Sequence, residues 1–222
     1  MVFGLIAAFA AGVSLLALVI ASAVPSKTGT TAKKEAVCAR VANPAPKPDG
    51  GRKPPKLRLD AKKRYDVTFK TNCGSFTIRL NVNVSPRTTA SFFTLARTGF
   101  FDRTTFHRIV PRFVIQGGDP TGRGSGGPGY KTVDRPPRTT VYRQYLVAMA
   151  KTGTEPPGTS GSQFFVVTGP NVQLPPDYAV LGTVTVGRKV VDQIGRLGEP
   201  TTELPTRPIV IEKASVRIRK PA

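Results

Sequence analysis

The chain contains no tryptophan, one histidine, two cysteines and two methionines in 222 residues. Each scarcity closes off some chemistry. His107 stands alone, and Cys38 and Cys73 belong to no Cys-x-x-Cys pair, so no thiolate and imidazole set suited to zinc can be assembled. Carboxylates are also scarce, at 13 Asp and Glu against 33 Lys and Arg, for a net charge of +20. Such a balance attracts nucleic acid, anionic lipid or an anionic cell surface. The basic residues are scattered, however, and no nucleic-acid-binding motif accompanies them, so the reading is solubility with weak, salt-sensitive contact with polyanions. Without tryptophan, the aromatic core falls to 12 phenylalanines. With 22 glycines, 21 prolines and few strong helix formers, the composition favours a turn-rich β or α+β domain of roughly 150 residues.

Charge is absent altogether from Met1 to Val24. A run of that length spans a bilayer core of about 30 Å as a helix, and it is apolar on every face, unlike a helix of a soluble core. Ala21-Ser22-Ala23 is a small-x-small site of the kind signal peptidase cleaves. Residues 1–24 are therefore expected to be a signal peptide or a transmembrane anchor. Lys27, Lys33, Lys34 and Arg40 follow the run and no basic residue precedes it, which by the positive-inside rule would leave the following domain in the cytoplasm. The cleavage site and a cysteine pair able to form a disulfide favour export. The expectation is a domain held outside the cell membrane or secreted, with a cytoplasm-facing domain as the alternative. Residues 25–60, rich in proline and lysine, read as an extended linker that has little to bury and whose charges repel. A Cys38–Cys73 bridge would pin this linker to the domain that follows, residues 61–222; two unrelated thiols are the alternative.

Within that domain, Tyr65–Lys70 and Ser75–Leu80 alternate apolar and polar residues around an Asn72-Cys73-Gly74 turn, the pattern of a β-hairpin. Ser85 as cap and Pro86 as first residue open a helix whose apolar positions include Ala90, Phe93, Leu95 and Ala96 and which Gly99 stops. Short strands are expected around Thr105–Ile109, Phe113–Gln116, Tyr145–Met149, Gln163–Thr168 and Ala179–Val184. A second helix is expected over Arg188–Leu197, with Val190, Val191 and Ile194 inward, and a last strand over Ile209–Arg219. Many short strands with two helices predict a closed antiparallel barrel capped by helices.

Gly122 to Gly127 matches G-x-G-x-x-G, but Pro128-Gly129 forbids the helix that a dinucleotide site needs, and the stretch reads as a flexible glycine loop. No Gly-Lys-Ser/Thr phosphate loop is present, and no nucleophile elbow or zincin pattern surrounds His107, which reads as a structural histidine at a strand end.

The run from Phe106 to Asp119, FHRIVPRFVIQGGD, and the run from Gly161 to Thr168, GSQFFVVT, resemble the two signatures of the cyclophilins. Ala148-Met149-Ala150 and Tyr178 to Gly182 fall in the same order and at compatible spacings, so the resemblance covers about residues 65–219. It implies an eight-stranded antiparallel barrel capped by two helices, and peptidyl-prolyl cis–trans isomerase activity on proline-containing segments of client proteins, without metal or cofactor. Arg108 then matches the catalytic arginine and Gln116 its polar neighbour. Phe113, Val114, Phe165 and Leu174 match the prolyl pocket, with Val114 where methionine is common, and Ala150 matches the edge where substrate backbone docks. Tyr178 replaces the histidine that commonly completes the pocket, as bacterial relatives tolerate. Gln173 replaces a frequent tryptophan, which is expected to weaken cyclosporin binding. The expected role is folding of exported or envelope proteins by a monomer; the alternative is a membrane-anchored chaperone module that binds prolyl segments with little turnover.

Overall fold

The computed structural model describes residues 38–220. The apolar run 1–24 and the first part of the linker lie outside the described residues.

The first strand, β1 (Arg64–Thr71), turns through Asn72-Cys73 into β2 (Gly74–Leu80), with Phe69 opposite Phe76 and Val67 opposite Ile78. Every second residue of β1, from Tyr65 through Val67 and Phe69 to Thr71, is buried, as the two-residue period of a strand requires. Asp66 breaks the pattern: it is buried on the other face, where Arg79 Nε at 3.0 Å and Arg219 Nε at 3.1 Å neutralise it.

Helix α1 (Pro86–Arg97) follows. Ser85 occupies the cap position, but its side chain makes no capping bond. The amide it would have satisfied, that of Thr88, donates instead to the Asp134 carboxylate at 2.6 Å. An anion at a helix N-terminus is a better acceptor than a hydroxyl because it also meets the positive end of the helix dipole. Gly99, at φ +70, ends the helix as expected. Burial runs wider than the predicted face, taking in Thr88, Thr89, Ser91 and Phe92, because α1 touches β1 on one side and a small second sheet on the other.

The remaining elements are β3 (Thr104–Val110), β4 (Val114–Asp119), β5 (Thr132–Val133), β6 (Leu146–Met149), β7 (Thr159–Ser160), β8 (Phe164–Val167), β9 (Val180–Val186), α2 (Arg188–Gly195) and β10 (Val210–Arg219). Eight strands close an antiparallel barrel in the order β1-β10-β3-β4-β8-β6-β9-β2. The two-residue strands β5 and β7 form the small sheet; they carry no periodicity and were not expected from the sequence. Phenylalanine fills the barrel: Phe69 stacks on Phe164 at 5.3 Å, and Phe92, Phe101 and Phe106 meet Phe164 edge-on at 5.2 to 5.9 Å. Helix α2 buries Val191 and Ile194 and leaves Val190 half-buried.

Residues 38–60 contain no helix or strand, but they are not detached from the barrel. Cys38 is disulfide-bonded to Cys73, and the Lys47 ammonium donates to the carbonyls of Gly99, Phe100 and Asp102 at 2.6 to 3.2 Å. The amides of Lys47, Gly50 and Arg52 donate to Pro120, Gly127 and Pro128. A lysine read as a self-repelling linker charge is thus a clamp, because three backbone carbonyls converge on it just after α1 ends.

Candidate active site

Strands β4, β8 and β6 are largely buried on both faces, without a break over Phe164–Val167, while β3 keeps a half-buried outer face. One face looks into the barrel through Ile109, Ile115, Val166 and Val147. The other carries a second apolar cluster of Val114, Phe165, Val167, Ala148 and Val180, roofed by Tyr142 and Val172. The ladder places Arg108 opposite Gln116, Gln116 opposite Phe165, and Phe165 opposite Ala148. Residues in one such row share a face, so one line across four strands runs from a cation through an amide to an aromatic ring.

Arg108 reaches that face because the strand is irregular. Phe106 and Ile109 are both fully buried in the barrel, yet they are three residues apart, an odd spacing that strict alternation forbids. The register steps from Phe106↔Gly117 to Arg108↔Gln116, which makes His107 the extra residue of a β-bulge. A second step, from Thr105↔Asp119 to Phe106↔Gly117, leaves Gly118 as the extra residue on β4. Its φ of +88, and the Ser162 carbonyl that a side chain would strike, require glycine there. Bulges re-aim side chains in this way beside active sites.

A cleft of about 200 Å³ opens in the outer cluster and is lined by Arg108, Phe113, Val114, Gln116, Ala150, Lys151, Phe165, Leu174 and Tyr178. The sequence-predicted site residues are all among them; Lys151 is the addition. Larger depressions exist elsewhere, but neither sets an arginine beside apolar walls in this way. Phe165 and Tyr178 meet edge-on at 5.4 Å. Tyr178 is fixed from behind by Tyr142, whose hydroxyl donates to the Tyr178 carbonyl at 2.7 Å and accepts from its amide at 3.0 Å. Burial pushes the Tyr142 phenol up to about 12, against the hydrogen bond to the Tyr178 backbone, which lowers it.

The polar rim is a connected line. Arg108 donates from Nε to Glu203 Oε2 at 2.6 Å and from Nη1 to Gln116 Oε1 at 3.4 Å. Gln116 donates to Gln163 at 3.0 Å, and Gln163 donates to the Gly124 and Gly126 carbonyls, each at 2.9 Å. That glycine loop, expected to be flexible, is held by Asp119, which accepts from the Thr121 amide at 2.7 Å and the Arg123 amide at 3.1 Å. Burial would raise the Asp119 carboxyl, but hydrogen bonds from the Thr121 amide and hydroxyl and from the Gly126 and Gly124 amides together outweigh it and hold it below its usual range. His107 lies beside Gly124 in mid-strand. Burial is the main cause of its lowered pKa, the neighbouring Arg108 adds to it, and Asp119 opposes it, so it is neutral near pH 7.

Sequence reasoning missed Glu203, Gln163, Lys151 and Tyr142. Gln163 and Lys151 adjoin recognised motif residues; Glu203 and Tyr142 sit in loops that no periodicity marks.

The profile of the cyclophilin type peptidyl-prolyl cis-trans isomerase/CLD family matches residues 66–216. Peptidyl-prolyl cis-trans isomerase B of Streptomyces anulatus is 42% identical over 172 residues, covering 69% of this chain and 97% of that protein. Peptidyl-prolyl cis-trans isomerase A of Mycobacterium tuberculosis is 38% identical over 168 residues, covering 68% and 91%. A crystal structure of a Cryptosporidium parvum cyclophilin matches with a TM-score of 0.64 at 28% identity, covering 69% of this chain and 98% of that one. The same cyclophilin solved in the presence of the dipeptide Ala-Pro matches with a TM-score of 0.63 at 28% identity, covering 68% and 98%. A closed eight-stranded barrel, an arginine bulged out over an apolar cleft and this agreement in sequence converge: the chain belongs to the cyclophilin-type peptidyl-prolyl cis–trans isomerases.

Proposed function

We propose that the cleft between Phe113, Val114, Phe165 and Leu174 seats the proline ring of a client segment while Arg108 stabilises the twisted X–Pro amide. The activity itself, cis–trans isomerisation of X–Pro bonds, is that of the family. Rotation breaks amide resonance against a barrier of about 18–20 kcal/mol. No bond is made or cleaved, so catalysis requires only that the twisted amide be bound better than either planar isomer. As the amide twists, the prolyl nitrogen pyramidalises and regains a lone pair. A guanidinium N–H can donate to that lone pair and has no comparable acceptor on the planar nitrogen, so the bond strengthens in the transition state. Each tenfold of rate corresponds to about 1.4 kcal/mol, within reach of one charge-assisted hydrogen bond. Gln116 stands beside the guanidinium as its polar neighbour, and Ala150 offers backbone at the cleft edge.

The observation that carries this reading is the register that puts Arg108 beside Gln116 at the mouth of an apolar cleft. The Cryptosporidium cyclophilin structure determined in the presence of Ala-Pro supports a prolyl ligand for this family. The test is isomerisation of an Ala-Pro peptide by the purified full-length chain, with Arg108→Ala beside it. Turnover that collapses in the variant is expected; turnover near background from the folded wild-type chain would favour a prolyl-segment binding module.

Export is part of the proposal. A Cys38–Cys73 disulfide persists in oxidising compartments, which agrees with residues 1–24 as a signal peptide or anchor. The clients are then exported or envelope proteins, whose uncatalysed prolyl steps take tens to hundreds of seconds. We also propose that Gln173, exposed beside Leu174, weakens cyclosporin binding, that the basic linker adds weak polyanion contact, and that the protein acts as a monomer.

A further inference from the structure

We infer that Glu203 is a positioning residue for Arg108, holding the guanidinium at the angle from which it meets the prolyl nitrogen. The inference rests on the reading of Arg108 as the catalytic arginine. Arginine brings a long, rotamer-rich side chain to the cleft, and its usefulness depends on where its N–H groups point. Gln116 reaches it only weakly, at 3.4 Å. The short contact is from Nε to Glu203 Oε2, at 2.6 Å. It engages the one nitrogen nearest the stem, which fixes the plane of the fork and leaves Nη2 without a protein partner among the described residues. As a stabiliser the pair counts for little, since its side chains are 34% and 41% exposed. Its consequence is geometric.

The backbone at Glu203 is built for this contact. Its φ is +59, in the left-handed region that a non-glycine residue adopts only when its surroundings compel it. Its amide donates to the Glu199 carbonyl and its carbonyl accepts from the Ile109 amide, both at 2.8 Å. Gly198 pairs with Pro205 across the base of the loop, and Gly198 lies so close to the Ile109 carbonyl that it admits no side chain. The loop after α2 is therefore docked on β3 by the residue next to Arg108, and Glu203 turns back one position to reach the guanidinium. A glycine would meet the local backbone demand better than glutamate does; the carboxylate is what glycine cannot supply.

That contrast gives the test. Full-length wild type, Glu203→Gly, Glu203→Gln and Arg108→Ala are compared by NMR exchange on an Ala-Pro peptide, which resolves kcat from KM, and by thermal unfolding. Glu203→Gly is expected to unfold at the same or a higher temperature than wild type, yet to lose roughly tenfold in kcat with KM within about twofold. Glu203→Gln keeps an oxygen for the Nε proton and is expected to stay within about threefold of wild type. The Arg108 Nε–H resonance is expected to move upfield and exchange faster with water in the glycine variant only. Collapse in Arg108→Ala with an unchanged kcat in Glu203→Gly would overturn the inference and leave the catalytic arginine standing. Unchanged activity in Arg108→Ala would overturn both.

Discussion

Breaking the Cys38–Cys73 bridge isolates one large contribution to stability. The bond spans a sequence separation of 35. Closing a loop of that length in the unfolded chain removes entropy worth about 4 kcal/mol at 25 °C. In a domain of this size each kcal/mol moves the melting temperature by about 2–4 °C, so reduction should lower it by roughly 10 °C. The contacts of Lys47, Gly50 and Arg52 with the barrel keep the strap in place in the reduced folded state, so the loss falls mainly on the unfolded reference. The assay is thermal unfolding of the full-length chain with and without reductant, alongside Cys38→Ser/Cys73→Ser, with alkylation counting free thiols in each sample. The double variant should melt with the reduced wild type and ignore reductant. Melting curves that coincide before and after complete reduction would refute the reasoning, since a bond that closes this loop cannot be thermodynamically silent.

The helix cap offers a sharper comparison between two neighbouring expectations. Asp134→Ala should cost about 1 kcal/mol in denaturant unfolding, because it strips the Thr88 amide of its acceptor. Ser85→Ala should be neutral or stabilising, because the Ser85 hydroxyl is buried without a partner. The reverse order would restore the serine cap. For pH, His107 is the single histidine and its folded pKa lies below the ordinary 6.5. The unfolded chain therefore takes up a proton that the folded chain refuses, so stability is full above pH 6.5 and declines as pH falls toward the folded pKa. Denaturant midpoints measured from pH 7.5 to 5 should show that slope, and His107→Gln should flatten it.

The sequence exposed those elements whose burial is one-sided or continuous. The β1–β2 hairpin alternates because one face is wet, and β8 reads as a solid apolar run because neither is. The disulfide partners were visible as the only two cysteines. What stayed hidden depends on contacts made by loops. The two-residue strands β5 and β7 have no period to detect, Asp134 caps a helix 46 residues away, and Glu203 meets an arginine 95 residues away. The clamp of Lys47 looked like linker charge because its three acceptors are backbone carbonyls, which every sequence has and none displays.

The long signature around Arg108 was legible as a motif before its physical reason was. Treated as a plain strand, Thr105–Ile109 would send Phe106 and Arg108 to the same face, one into the barrel and the other with it. The structure avoids this by spending His107 on one bulge and Gly118 on the other, so that Phe106 stays in the core while Arg108 emerges over the cleft. The signature residues thus divide into those that line the cleft and those that shift the register. His107 belongs to the second group: it sits at the register step and does not line the cleft. The bulge also carries a constraint on any rebuilding of the site. Closing the bulge with His107 kept in the ladder would turn the guanidinium inward, toward a barrel already filled by Phe106, Phe69 and Phe164. Deleting His107 would instead make Phe106 and Arg108 consecutive partners of Gly117 and Gln116 and leave the arginine over the cleft. Such a deletion should keep the fold and the outward guanidinium, while an insertion beside it should not.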